Sequence, residues 1–339
     1  RGLGDVYKRQ VMRIVVTGGA GFIGSHFIEK IVNEGMEAVV VDNLITGSVD
    51  NIKEYIDKGT VKFIQQDVQE FIDIEGEVDV VMHLASIASP KAYVQYPVNT
   101  LKSGSLGTIN SLGLAKVKKA KYVLASTSEI YGDPKISPQK EDYWGNVNPV
   151  GPRSMYDESK RFAEAAATTY VTEFGLDVKI ARIFNTYGTR MKVNDGRVVT
   201  NFLYQALNNE DITVYGDGSQ TRSLSYVTDT IEYLFRLMKS EYRGVVNIGN
   251  PEEISIIDLA KKIIKKTNSN SKIVHLDLPE DDPKKRKPDI SLAVEELGYS
   301  PVVTLDEGLS VLIQWLCLLY TSDAADEGLG VDLGGRRII

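Results

Sequence analysis

Met12–Gly24 reads MRIVVTGGAGFIG. An apolar run of strand character ends in a glycine cluster, and a helical pattern follows from Gly21 to Asn33. The cluster carries G-x-G-x-x-G (Gly19, Gly21, Gly24) and also G-x-x-G-x-x-G (Gly18, Gly21, Gly24), with Phe22 and Ile23 inside it. A strand, a glycine turn and a helix in that order are the setting in which this motif signifies a dinucleotide site. Missing side chains let the backbone approach a pyrophosphate. The helix N-terminus adds N–H donors and a partial positive charge.

Working outward, EAVVVDN, TVKFIQQD, VDVVMHLAS and AKYVLAST read as further buried parallel strands, followed by DVKIARIFN. Helical stretches at Gly21–Asn33, Val98–Lys119 and Met155–Phe174 separate several of them, which predicts an α/β, Rossmann-like doubly wound parallel sheet. Asp42 closes the second strand, 18 residues after Gly24. A carboxylate there accepts a hydrogen bond from a ribose 2′-hydroxyl and repels a 2′-phosphate. Asn43 and Leu44 follow it with no arginine close by, so NAD is favoured over NADP. Asp67 and Val68 after the third strand, Leu84, Ala85 and Ser86 after the fourth, and Ser126 in the fifth are the further candidate cofactor residues. After Asn185 the pattern turns irregular: short strands (213–215, 245–248, 272–275) mix with helices (198–207, 228–238, 256–265, 305–315). The expected division is a dinucleotide-binding domain over 12–185 and a smaller α/β region over 186–316 that binds mainly the substrate.

The ends read differently. VYKRQ (6–10) can be written GTG TAT AAG AGA CAG, and its opposite strand, one base out of frame, translates as Cys-Leu-Leu-Tyr-Thr, which is Cys317–Thr321. The two ends are thus expected to be inverted copies of one sequencing adaptor, with GVDLGGRRII (330–339) its flank. Residues 1–11 and 317–339 are set aside on that reading as adaptor-derived, loosely packed tails. The lone cysteine, Cys317, goes with them, so neither a disulfide nor thiol chemistry is expected. The formal net charge of −7 argues against non-specific nucleic-acid binding. No apolar run approaches the roughly 20 residues that span a bilayer, and no signal peptide is recognisable before Met12, so a cytoplasmic protein with no membrane partner is expected.

Chemistry concentrates between Ser126 and Lys160, where STSE (126–129) precedes YWGNVNPVGPRSMYDESK (143–160). Tyr156 and Lys160 lie four apart in a helical pattern and so share a face. A phenol beside an ammonium has its ionised form stabilised and trades protons nearer neutral pH. Thr127, Ser128 and Glu129 sit at the carboxyl end of a strand, where open α/β sheets bind ligands. His26, His83 and His275 show no ligand spacing, so no metal is expected. Trp144 and Trp315 read as packing residues.

These motifs, with ARIFNTYGTRM (181–191), DGRVVTNF (195–202), TVYGDGSQTRS (213–223) and DDPKKRKPDI (281–290), resemble the extended short-chain dehydrogenase/reductase superfamily. Within it they are most similar to UDP-glucuronate decarboxylases, over essentially all of Met12–Leu316. The resemblance implies a cycle on tightly held NAD. Tyr156, helped by Lys160 and Thr127, takes the C4 hydroxyl proton as the sugar is oxidised to a 4-keto acid. The acid loses CO2, and Ser128 and Glu129 position groups and handle protons near C5. It further implies that Arg286 meets a carboxylate or phosphate. By the same resemblance Arg222 and Gln220 touch diphosphate and ribose, Asn185, Asn201 and Tyr215 touch the nucleotide sugar, and Pro90 and Tyr93 form a substrate loop. A homodimer through the helices at 98–119 and 155–174 is implied as well.

Two positions depart from the pattern. Ser86–Ile87 stand where relatives commonly have Cys-Pro or a similar pair. Gly104 stands where many have Asn, which is expected to cost about 1 kcal/mol of helix stability and to loosen the active-site backbone. A nucleotide-sugar 4-epimerase shares the Thr/Tyr/Lys set but needs neither Glu129 nor Arg286. A 4,6-dehydratase needs an acid where Ser128 stands. A silent NAD-binding scaffold has no use for Tyr156 and Lys160.

Overall fold

The computed structural model describes residues 11–193, 195–277 and 285–328, with side chains to Leu319. Residues 1–10 and 329–339 of the expected tails, and 281–284 of the DDPKKRKPDI stretch, lie outside the described residues.

The first half runs β1 (Arg13–Thr17), α1 (Phe22–Asn33), β2 (Glu37–Asp42), α2 (Lys53–Asp57), β3 (Val61–Gln65), β4 (Val80–His83), α3 (Pro90–Gln95), α4 (Pro97–Lys118), β5 (Lys121–Thr127), α5 (Ser154–Phe174) and β6 (Val178–Ile183). The second half runs β7 (Thr186–Tyr187), α6 (Val198–Leu207), β8 (Ile212–Tyr215), β9 (Thr221–Ser223), β10 (Ser225–Tyr226), α7 (Val227–Lys239), β11 (Gly244–Ile248), β12 (Glu253–Ser255), α8 (Ile256–Thr267), β13 (Ile273–Leu276), β14 (Lys285–Arg286), α9 (Ser291–Leu297) and α10 (Leu305–Gly328).

Seven parallel strands form the central sheet in the order β11-β6-β5-β4-β1-β2-β3. The order reverses between β1 and β4, the switch point at which doubly wound sheets bind ligands. Strand alternation builds the two faces. Ile14, Val16, Val40 and Met82 join Phe27, Ile28 and Ile31 of α1 in one core. Val15, Val39, Val41 and Val81 join Leu112 and Ala115 of α4 and Ala163 and Ala167 of α5 in the other. Period two sends neighbours to opposite faces, so strands buried on both read as unbroken apolar runs.

Two expectations about boundaries need correction. β11, expected in the smaller region beyond Asn185, pairs with β6 as the edge strand of the central sheet. VVNI is a short, largely apolar stretch broken by Asn247, and its place in the sheet is fixed by a crossover through α7 that sequence order does not reveal. At the other end, α10 continues past Leu316 to Gly328. No proline or glycine interrupts Cys317–Asp326, so the backbone hydrogen-bond ladder simply propagates.

The glycine at 104 also differs from expectation. A Cβ built there would lie 2.5 Å from the Ser159 hydroxyl and 2.6 Å from its Cβ. Gly104 therefore sets the close approach of α4 to α5 rather than loosening it.

Candidate active site

The carboxyl ends of β1, β2 and β4 open into a cavity of about 620 Å³. Gly18, Gly21, Phe22, Ile23 and Gly24 line one side, Asp42 and Asn43 the next, and Leu84, Ala85 and Ser86 the third. The glycines are demanded by geometry. Gly18 has φ +73 and lies so close to Ala85 that a Cβ would meet its nitrogen at 2.7 Å, and a Cβ on Gly24 would fall 2.1 Å from the Gly18 carbonyl oxygen. Gly19 turns away from the cavity, against Val40, where a side chain would not fit. Asp42 is held in place by the Ala20 and Leu44 N–H groups at 3.0 and 2.8 Å, while burial pushes its carboxyl up. Asn43 donates to Asp67 at 2.9 Å, and Asp67 also accepts from Gln69 N–H at 2.9 Å. Asp67 thereby positions its neighbours, and Val68, which lines the cavity, also covers Gly107. A glycine cradle at a helix start with an acidic strand end beside it fits a dinucleotide.

The Ser126 side chain lies off that cavity. On β5, Ala125 lines the cavity, and the next residue points through the other face, so the Ser126 hydroxyl donates to Glu164 of α5. Glu164 also takes Arg182 through Nε and Nη2 at 3.0 and 2.8 Å.

Tyr156 and Lys160 are buried side by side on α5. Lys160 donates to the Ala125 carbonyl at 2.8 Å, and desolvation lowers its ammonium to about 8. The expected easing of the Tyr156 phenol is not met among the chain's own groups. Burial foremost, then the negative Glu129, push it well up, against the Thr127 hydroxyl that favours the phenolate. Tyr93 stacks on it with ring centroids 5.5 Å apart, planes 13° apart, on a helix whose first residue is Pro90. Thr127 caps the short 3-10 turn Ser128–Tyr131, accepting from Glu129 N–H at 3.2 Å, which sets Glu129 at the end of β5.

Glu129 is the electrostatic hub. Arg286 grips it with both terminal nitrogens, Nη2 at 2.7 Å from Oε2, and also donates to Ser128 at 3.2 Å. Arg153 reaches the same carboxylate. Burial would raise the Glu129 carboxyl, but the two guanidiniums, Arg286 foremost, overcome it and hold it well below the usual carboxylate range. Arg286 stands on β14 in register with Arg222 on β9. Gln220 donates to the Tyr215 carbonyl at 2.8 Å, and Ser225 N–H to that of Asn185 at 2.9 Å. Asn201 stands on α6 and Tyr215 at the end of β8, 45 % exposed. Among the described residues the contacts of Glu129 include none of Asn185, Asn201, Tyr215 and Gln220.

Sequence reasoning passed over Arg153 and Asp157. Both lie inside the quoted 143–160 stretch, where a basic residue before the helix and an acid beside the tyrosine were the available signals. His83, deep in β4, is held between the hydroxyls of Thr17 and Thr108 at 2.8 and 3.3 Å.

The profile of the NAD dependent epimerase/dehydratase family matches residues 14–249. The chain belongs to this family. It is 51% identical over 303 residues to UDP-glucuronic acid decarboxylase 1 of Danio rerio, covering 89% of this chain and 72% of that one. It is 50% identical over 307 residues to UDP-glucuronic acid decarboxylase 4 of Arabidopsis thaliana, covering 91% and 69%. Among solved structures, the UDP-glucuronic acid 4-epimerase of Bacillus cereus, in complex with UDP-glucuronic acid and NAD, superposes with a TM-score of 0.81 at 28% identity, over 91% of this chain and 100% of that one. As in other members of the epimerase/dehydratase family, the cofactor is NAD, and the glycine cradle and Asp42 are the residues that fit it here.

Proposed function

We infer that this protein decarboxylates UDP-glucuronate to UDP-xylose. The observation that carries the reading is identity of about one half, over about nine tenths of the chain, to curated UDP-glucuronic acid decarboxylases. The pairing of Glu129 with Arg286 beside Thr127 and Tyr156 suits a substrate that carries a carboxylate at C5, as UDP-glucuronate does.

NAD, when bound, accepts the hydride from C4 and returns it, and in its oxidised form adds positive charge that favours the Tyr156 phenolate. Tyr156 takes the C4 hydroxyl proton, with Thr127 as hydrogen-bond partner and Lys160 as a nearby, readily deprotonated ammonium. The 4-keto acid then sheds CO2, and the electrons left at C5 spread into the ketone as an enolate. Tyr156 and Thr127 are the donors suited to the enolate oxygen. Ser128 and Glu129 hold Arg286 in place. The Arg286 Nε, buried without a partner among the described residues, is a donor left over for an anionic group of the substrate. Arg222, Gln220, Asn185, Asn201 and Tyr215 are proposed to hold the nucleotide sugar, and Pro90 and Tyr93 to cover it.

α4 and α5 pack together and leave Leu101, Leu106, Phe162 and Phe174 between 44 % and 50 % exposed, which supports a homodimer through that face. Among the described residues no helix is long and apolar enough to cross a membrane. A cytoplasmic setting is part of the same proposal. The test of function is CO2 release with UDP-pentose formation from UDP-glucuronate and NAD. A sugar product of unchanged mass would point to an epimerase.

A further inference from the structure

Decarboxylation consumes a proton that none of the groups above supplies. When the C5–C6 bond breaks, its electron pair passes to C5 and the C4 ketone, and CO2 departs. Forming the new C5–H bond takes up one proton. The proton that Tyr156 removes from the C4 hydroxyl returns to the C4 oxygen when the hydride comes back, so it is not available for C5. Glu129 does not carry one at neutral pH, because Arg286 and Arg153 hold it ionised. Lys160 is engaged with the Ala125 carbonyl.

One residue along the helix from Tyr156, Asp157 is 7 % exposed, and its Oδ1 is buried without a hydrogen-bond partner among the described residues. It lines a second cavity, of about 230 Å³, that it shares with Glu129, Arg153 and Arg286. The outer wall of that cavity is made by the exposed residues Asp133, Asn146 and Asn148, so it reaches the surface on a side distinct from the glycine cradle. Burying an ionised carboxyl with an unsatisfied oxygen costs far more than burying the protonated form, so burial favours the protonated one.

On the decarboxylase reading above, we propose that Asp157 is the proton reservoir of the reaction. Its carboxyl supplies, along the Glu129 side of the second cavity, the proton that ends on C5, and solvent reloads it through the same cavity. Asp157 acts behind the groups that touch the sugar. The charges around it agree. Burial first, then Glu129, raise its carboxyl well above the usual carboxylate range against the pull of Arg153 and Arg286, with Glu158 a further like charge on its own helix and the Tyr93 and Tyr156 phenols beside it.

The test is rapid mixing of the full chain and NAD with UDP-glucuronate, following reduced nicotinamide by absorbance and CO2 in the first turnover from pH 6 to 9. Reprotonation precedes hydride return, so in the wild type the decay of reduced nicotinamide should slow as pH rises from 6 to 9, because burial and Glu129 raise the pH at which the Asp157 carboxyl loses its proton. Asp157→Asn should slow that decay about 100-fold and flatten its pH profile, while the rise of reduced nicotinamide and the first-turnover CO2 keep pace. Asp157→Glu should recover part of the decay. A flat profile in the wild type overturns the proposal without any variant, and so does an Asp157→Asn decay that matches the wild type. Absence of CO2 from the wild type at every pH would instead overturn the decarboxylase reading, and this proposal with it.

Discussion

Arg286 and Glu129 stand 157 residues apart in the chain and meet in a two-pronged ion pair at the end of β5. The turn capped by Thr127 carries the acid, and the short strand pairing of β14 with β9 carries the base. Arg286 and its carboxylate lie apart from the glycine cradle.

Lysine cannot reproduce that grip, since its compact ammonium lacks the planar fork that sets two nitrogens against two carboxylate oxygens. Arg286→Lys is therefore expected to lower kcat/KM for UDP-glucuronate by about 100-fold, roughly 2.7 kcal/mol, while NAD affinity stays unchanged. Steady-state kinetics and an NAD titration measure both. Loss of NAD binding in this variant would place Arg286 in the wrong site.

Gly24→Ala drives a methyl into the Gly18 carbonyl. The loop has to open, and NAD affinity should fall at least about 100-fold. Calorimetric titration reads this directly, and an alanine variant that binds NAD as well as wild type would refute the cradle.

How much of this was legible beforehand depends on whether the signal was local. The glycine cluster, Asp42 and the Tyr156–Lys160 pair were legible because each is a short pattern at the end of a strand or on one helix face. The side of β5 on which Ser126 falls was not weighed, although strand alternation decides it and sends its hydroxyl to Glu164. The join of β11 to β6 and the double clamp on Glu129 depend on crossovers that bring distant segments together. Asp157 escaped because an acid beside a catalytic tyrosine looks solvated in sequence, and only its burial makes it unusual.

Gly104 offers a test of helix packing. Asparagine at 104 has to displace Ser159, one residue from Lys160, and overpacking of this kind costs about 1–3 kcal/mol. Gly104→Asn should lower stability in denaturant titrations and reduce turnover, and adding Ser159→Gly should restore much of both. Strict additivity of the two changes would argue that the residues do not meet.

His83 makes the fold acid-sensitive. Burial lowers its imidazole to about 3, from 6.5 when unfolded. Between those values the unfolded chain binds a proton that the folded one does not, so stability falls as pH drops from about 6.5 toward 3. At pH 5 the loss from this group is about 2 kcal/mol. Urea unfolding at pH 7 and pH 5 should show a smaller difference in His83→Gln than in wild type. Equal differences would mean that His83 is protonated in the folded state.

The most direct measurement mixes the purified full chain with UDP-glucuronate and NAD and follows CO2 and the nucleotide-sugar product by mass spectrometry. The account predicts one CO2 per UDP-pentose formed, abolished by Tyr156→Phe. A nucleotide sugar of unchanged mass with no CO2, or UDP-pentose undiminished by Tyr156→Phe, would contradict it.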